Sequence, residues 1–226
     1  MSNARQPRRR RFRVVAFILA ALIIFIALAV GSQAVATLQR LTFVEAERDT
    51  WQRPDDVIRA LDLHPGSSVV DLGCGAGYFS LKLSRSVGDR GKVISVDIRR
   101  LPLVFLQVRA TLQRRWNIRT QKTDPSPELP AAQDAVLIAN TYHELTDRAM
   151  VLDQVHRALR PGGRLVILDR EVGAPASHSG ESSHEVPLAT VEADLRAHGF
   201  KVVKREVPFV DRPQNEPWWL IVASRS

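Results

Sequence analysis

Val69-Val70-Asp71-Leu72-Gly73-Cys74-Gly75-Ala76-Gly77 decides the fold. Its apolar, β-branched start reads as a strand. Three alternating glycines then let the backbone turn sharply and pass close to a ligand with no Cβ in the way. Tyr78–Val87 follows with apolar residues at helical spacing. The obvious comparison is the dinucleotide fingerprint G-x-G-x-x-G, which seats a pyrophosphate on a helix N-terminus. Here the third glycine comes one residue early, and Asp71 stands two residues before the first. A carboxylate there repels a pyrophosphate and suits a ligand that carries positive charge.

Outward from the loop the chain repeats the same alternation. Short apolar runs at Ser68–Leu72, Val93–Ile98, Ile118–Thr123, Ala135–Ala139 and Arg164–Leu168 predict strands, and Tyr78–Val87, Leu101–Trp116 and Asp147–Leu159 predict helices between them. Asp55–Leu63 predicts a helix ahead of the first strand, with Pro54 in its first turn and His64-Pro65-Gly66 as its stop. Strands alternating with helices imply a parallel sheet covered on both faces. After a helix at Leu188–His198, closed by Gly199, the strands Lys201–Phe209 and Trp218–Ser224 lie close enough to pair as a hairpin across Asp211–Asn215. The expected fold class is therefore α/β and Rossmann-like, mostly parallel with a C-terminal antiparallel hairpin. Gly173–Pro187 reads as a loop.

In an open parallel sheet ligands bind at the carboxyl ends of the strands, and an acid about 20 residues past the glycines can hold both ribose hydroxyls. Asp97, closing Val93-Ile94-Ser95-Val96-Asp97, is so placed. Together with Asp134–Leu145 and Leu159–Ile167, these blocks resemble the class I S-adenosylmethionine-dependent methyltransferases, from about Trp51 to the C-terminus. The resemblance implies a seven-stranded sheet with its last strand antiparallel and S-adenosylmethionine as the cofactor. It implies cofactor contacts for Asp71, Gly73, Gly75, Gly77 and Asp97, for Ile98 against an adenine face, for Asp124 at the adenine amino group, and for Asn140. The branch it points to is small-molecule, similar to quinone-biosynthesis enzymes, with a small and lipophilic or lipid acceptor. The alternative is a non-catalytic S-adenosylmethionine-binding protein.

Methyl transfer displaces an already activated sulfonium in line, so positioning supplies much of the rate, and a base is needed only if the nucleophile carries a proton. In Asn140-Thr141-Tyr142-His143-Glu144-Leu145, His143 is the candidate base and Tyr142 a candidate wall of the acceptor site; the plainer alternative is that His143 and Glu144 cap the next helix. Cys74, the single cysteine, reads as a small packed residue, which disfavours an arsenite-type acceptor. His178 and His184 lack tight ligand spacing, so no metal is expected. Arg53 reads as solvated, with a cofactor carboxylate as its other possible partner. Alternation puts Trp218 and Trp219 on opposite faces, one in the core and one on a surface or pocket.

The formal net charge of +8 is concentrated at one end. Six arginines stand ahead of residue 14; without them 26 Lys+Arg face 24 Asp+Glu. Val14–Val30 then contains no polar residue, enough for a short membrane span. The expected organisation is a basic tail (1–13), a transmembrane helix or signal-anchor (14–33) broken at Gly31-Ser32-Gln33, a juxtamembrane linker (34–50) and the methyltransferase domain (51–226). A cleaved signal is the alternative, since Ala34-Val35-Ala36 follows an apolar core. The arginines favour a cytoplasmic N-terminus, which would carry the domain away from the cytosolic supply of S-adenosylmethionine. With topology accounting for the tail, nucleic acid is not an expected partner.

Overall fold

A computed structural model describes residues 6–170, 186–212 and 215–226. Contacts divide the chain into two units between Glu47 and Arg48. The first holds most of α1 (Gln6–Trp51), which is long and apolar enough from Val15 onward to cross a membrane by length and composition. The break expected at Gly31-Ser32-Gln33 does not occur. Ser32 and Thr37 bond back to the carbonyls of Ala29 and Gln33, and one helical glycine costs only about 1 kcal/mol.

The second unit carries α2 (Pro54–Ala60), β1 (Ser68–Leu72), α3 (Tyr78–Val87), β2 (Lys92–Asp97), α4 (Arg100–Leu112), β3 (Ile118–Lys122), β4 (Gln133–Ala139), α5 (Arg148–Ala158), β5 (Leu159–Arg170), α6 (Leu188–Ala197), β6 (Phe200–Arg212) and β7 (Asn215–Arg225). The seven strands run in the order β3-β2-β1-β4-β5-β7-β6. β1 to β5 are parallel, and β7 is antiparallel to both β5 and β6. This is the expected sheet with its terminal hairpin.

Alternation along the strands divides the core in two. Val69, Val93, Leu137, Val166, Leu168 and Leu220 bury against the side of α2, α3 and α4. Val70, Val96, Ile138, Leu165, Ile167 and Ile221 bury on the side of α5 and α6. Trp218 and Trp219 follow that alternation, but both are buried: Trp218 packs against Trp51, and Trp219 donates its indole N–H to the Arg170 carbonyl at 2.8 Å. Both sheet faces are covered here, so neither tryptophan is left for a surface or a pocket. α4 ends earlier than its apolar pattern suggests. Arg114 is left-handed (φ 54°), and Arg115 N–H bonds back to Ala110 O in a Schellman-type stop.

Gly77 shows how tightly α3 and α4 meet. Its φ is +90°, and a Cβ there would lie 2.2 Å from Cδ1 of the fully buried Leu106. A left-handed alanine costs about 1–2 kcal/mol and overpacking about 1–3 more. Gly77→Ala is therefore expected to lose about 2–4 kcal/mol in urea unfolding, whereas Gly75→Ala, which meets nothing within 4 Å, loses only the backbone part. Equal losses for the two would refute this role for Leu106.

Candidate active site

The strand order reverses between β1 and β4, and the crevice at their carboxyl ends is where open α/β sheets bind ligands. The glycine turn and the end of β4 close on each other here. A Cβ on Gly73 (φ +76°) would fall 2.3 Å from the side chain of Thr141, so this glycine admits β4's exit rather than a ligand. Gly75 (φ +53°) is different: its missing Cβ faces open space, which makes its backbone the stretch of the turn that a ligand can approach. Neighbouring groups hold the turn. Gly73 and Cys74 N–H bond to Val96 O, and the guanidinium of the buried Arg109 donates to Ala76 O at 2.5 Å.

Asp97 is fixed from two sides, Oδ2 accepting from Gly75 N–H and Oδ1 from Arg99 N–H, both at 2.8 Å. Each carboxylate oxygen has further acceptor capacity, so the pair can still take two hydroxyl donors. Ile98 beside it is exposed, an apolar surface available to a flat ring. Asp124 follows β3, whose Lys122 is in register with Asp97, and accepts from Ser126 N–H. A polar turn with an open glycine, a diol-matching carboxylate and an uncovered aliphatic side chain fits a nucleoside cofactor.

Asp71 is buried beneath this turn, accepting from Ser80 Oγ at 2.5 Å, and Ser80 in turn accepts from Ser95 Oγ. Burial pushes its carboxyl up to about 6, against the opposing Ser80 hydrogen bond and helped by the charge of Asp97. The folded protein thus keeps a proton between about pH 4 and 6 that the unfolded chain releases, and stability contributed here falls as pH rises through that window. Asp71→Asn is expected to flatten the decline of Tm from pH 4.5 to 6.5, about one kcal/mol or more in unfolding free energy. An unchanged slope would show that the carboxyl does not titrate there.

The second half of the site follows β4. Asn140 has a positive φ of 54° and bonds through its N–H to Leu168 O, which turns the chain toward the end of β5. A 3-10 turn, Tyr142–Glu144, comes next, and Asp147 then caps α5 by accepting from Met150 N–H. His143 is only 19% exposed and lies against Asp169, a buried carboxylate at the end of β5. Its Nδ1 is 2.8 Å from Asp169 Oδ1, and its backbone N–H also donates to Oδ2. The guanidinium of Arg170 lies 3.2 Å from Nε2. An ionised carboxylate only accepts and a guanidinium only donates, so the neutral Nδ1–H tautomer satisfies both and turns the Nε2 lone pair outward.

Tyr142 has a different place. It is fully buried in the core on the α5 and α6 side, with its hydroxyl 3.3 Å from Asp194 and its phenol pushed up by that burial and charge. It packs the turn that presents His143 and does not form a wall of the crevice. Arg53 also lies away from the strand ends: it pairs with Asp56, donates to Phe209 O and stacks on the Phe209 ring. A cavity of about 500 Å³ adjoins it over α2, β6 and β7; its lining includes Arg53, Arg59, Arg164 and Lys204, which pair with Asp56, Asp62 and Glu206. Cys74 is buried, and burial pushes its thiol up. His178 and His184, like most of the loop 173–187, lie outside the described residues. Among the described residues no group of three or more His, Cys, Asp or Glu is arranged to hold a metal.

Asp169, Arg170 and Arg109 were absent from the sequence expectations. Asp169 had a usable signal, an acid closing a strand as Asp97 does. Arg109 had one too, a cation on the apolar stripe of a helix. Arg170 had none.

Residues 43–178 match the model of the ubiE/COQ5 methyltransferase family, 136 of the 226 residues. The chain belongs to that family. It is 28% identical over 125 residues to a demethylmenaquinone methyltransferase of Shouchella clausii, covering 54% of this chain and 52% of that one. It is 36% identical over 123 residues to a ubiquinone/menaquinone biosynthesis C-methyltransferase, UbiE, of Haemophilus ducreyi, covering 53% and 46%. The chain spans about half the length of the curated relatives it matches. Its fold is shared with a SAM-dependent methyltransferase from Aquifex aeolicus, at a TM-score of 0.69 and 20% identity over 84% of this chain and 98% of that one. Glycine turn, Asp97, Asp124 and the His143–Asp169 pair all lie inside the ubiE/COQ5 match. The expected α/β sheet, the methyltransferase family and S-adenosylmethionine as its cofactor stand together.

Proposed function

We propose that this chain methylates a carbon of a small, lipophilic, quinol-like acceptor at a membrane, with His143 as the base and Asp169 as the residue that positions it. The observation that carries the mechanism is the buried Asp169 carboxylate against Nδ1, which leaves Nε2 as the accepting atom beside the crevice. The C-methyltransferase named among the relatives supports carbon as the acceptor atom. When bound, S-adenosylmethionine supplies an electrophilic methyl group on a sulfonium leaving group. Asp97 holds the ribose hydroxyls, Ile98 covers the adenine, Asp124 meets its amino group and Asp71 favours the positive end of the ligand. Asn140 turns the chain so that His143 faces the acceptor.

A phenolic ring carbon becomes nucleophilic when its hydroxyl loses a proton. His143 Nε2 takes that proton, and Asp169 stabilises the imidazolium that results; the ring carbon bonds the methyl as the methyl–sulfur bond breaks, and loss of that carbon's own proton to solvent, with return of the imidazolium proton to the ring oxygen, restores the aromatic ring. Arg170 swings aside from Nε2 to admit the hydroxyl and its positive charge then faces the phenolate. A soft metalloid acceptor would need thiolates, and the only cysteine is buried with its thiol pushed up.

The helix from Val15 onward, long and apolar enough to cross a membrane, supports an anchored chain with a lipophilic acceptor within reach. The test is transfer of labelled methyl from S-adenosylmethionine by the full chain to the organic-soluble fraction of a membrane extract. Label in a quinol fraction, stable to hydrolysis as a carbon-bound methyl is, is expected. Tight S-adenosylmethionine binding with no labelled product would overturn the enzymatic reading in favour of a binding protein. A reporter fused after Ser226 reads which side of the membrane holds the domain.

A further inference from the structure

α4 is apolar on both sides. Its inner stripe, Leu103, Leu106 and Ala110, is buried against the sheet. On the other side Leu101, Val104, Val108 and Leu112 recur at steps of three and four residues and are 42–72% exposed. Trp116, just past the helix, is 73% exposed. A helix that is apolar all round belongs inside a core or against an apolar medium.

The charge around this stripe is one-sided. From Ile98 to Thr123 the chain has seven basic residues and no acidic one. Arg99 and Arg100 at the start of α4 and Arg114 just past its end are exposed and flank the bare leucines and valines in sequence. Leucine, valine and tryptophan on one face with arginines along its borders is the composition of a helix that lies in a membrane interface.

We infer that this face of α4 docks on an anionic bilayer surface, with Leu101, Val104, Val108, Leu112 and Trp116 at the headgroup–acyl boundary and the arginines on lipid phosphates. A second copy is the wrong occupant: a two-fold contact sets the same patch against itself and would bring the arginines of both copies together. A bilayer matches both the charge and the apolar stripe. α4 begins three residues after Asp97, so docking sets the crevice mouth toward the lipid phase from which a lipophilic acceptor arrives. The inference draws on the anchored reading only for the presence of a bilayer.

The test uses the full chain in nanodiscs whose lipids carry bromine in the acyl chains. Trp218 and Trp219 are buried, so the loss of emission specific to this face comes from Trp116, one of four tryptophans, and is expected to reach about a quarter of the signal in anionic discs. Trp116→Phe should abolish that increment. Arg100→Glu with Arg114→Glu should cut it at least about twofold by removing attraction to the headgroups. Equal quenching of wild type and Trp116→Phe in discs that hold the chain would overturn the inference, as would quenching that does not depend on anionic lipid. Self-association in detergent that Leu112→Ser abolishes would assign the face to a second copy and overturn it too. A chain that fails to enter discs refutes the anchor instead. Flotation with anionic vesicles then reads α4 alone: binding lost in Leu112→Ser sustains it, and no binding overturns it.

Discussion

His143→Ala lowers kcat for methyl transfer by about 10²–10⁴-fold while leaving S-adenosylmethionine affinity within about threefold, the signature of a lost general base. On the proposed assignment the ring serves the acceptor: it contacts the end of β5 and Arg170, whereas the groups suited to the cofactor follow β1, β2 and β3. Asp169→Asn should fall nearly as far. A carboxamide can present its NH₂ to Nδ1, which favours the opposite tautomer and removes the lone pair from Nε2. Rates within tenfold of wild type in both variants, with unchanged Tm, would reduce the pair to a structural brace between β4 and β5.

Asp97→Ala is expected to weaken S-adenosylmethionine binding by about 100-fold or more in calorimetry. Hydrogen bonds to a charged acceptor contribute about 1.5–3 kcal/mol each, and two ribose hydroxyls lose theirs. The same substitution also releases Gly75 N–H and Arg99 N–H, so the turn loses its clamp together with its ligand contact. Asp97→Asn separates the two effects. Its amide oxygen can still accept from Gly75 N–H, so it should fold like wild type and bind with an intermediate loss. Retention of wild-type affinity in Asp97→Ala would move the ribose site elsewhere.

Most of the fold was legible because it rests on short-range patterns. Tyr78–Val87 is the helix its spacing predicts, and Ser68–Leu72 is the strand, since period and β-branching act over a few residues. The hairpin followed from strand proximity in sequence. Errors arose where local sequence was ambiguous. The left-handed Arg114 stops α4 although the helical spacing of apolar residues carries on from Leu112 to Trp116, and Gly31-Ser32-Gln33 looks like a break but lies within a helix. The site was half legible. Asp97, hydrogen-bonded directly to Gly75 of the loop, is 22 residues from it in sequence yet closes a strand by an evident rule. Asp169 obeys the same rule, but its partner His143 lies 26 residues earlier on another strand's exit.

The sequence by itself determined the alternation of strands and helices, the sharp glycine turn with an acid before it, and the concentration of positive charge ahead of an apolar span. These are properties of neighbouring residues. Only the tertiary structure decided that Gly73 serves Thr141 and Gly77 serves Leu106 while Gly75 faces open space. It also decided that Tyr142 is core, that Asp169 orients His143, and that one flank of α4 is left bare. The physical reason is the strand order: setting β4 between β1 and β5 brings together exits that are far apart in the chain, and side-chain roles there depend on which neighbours the sheet supplies.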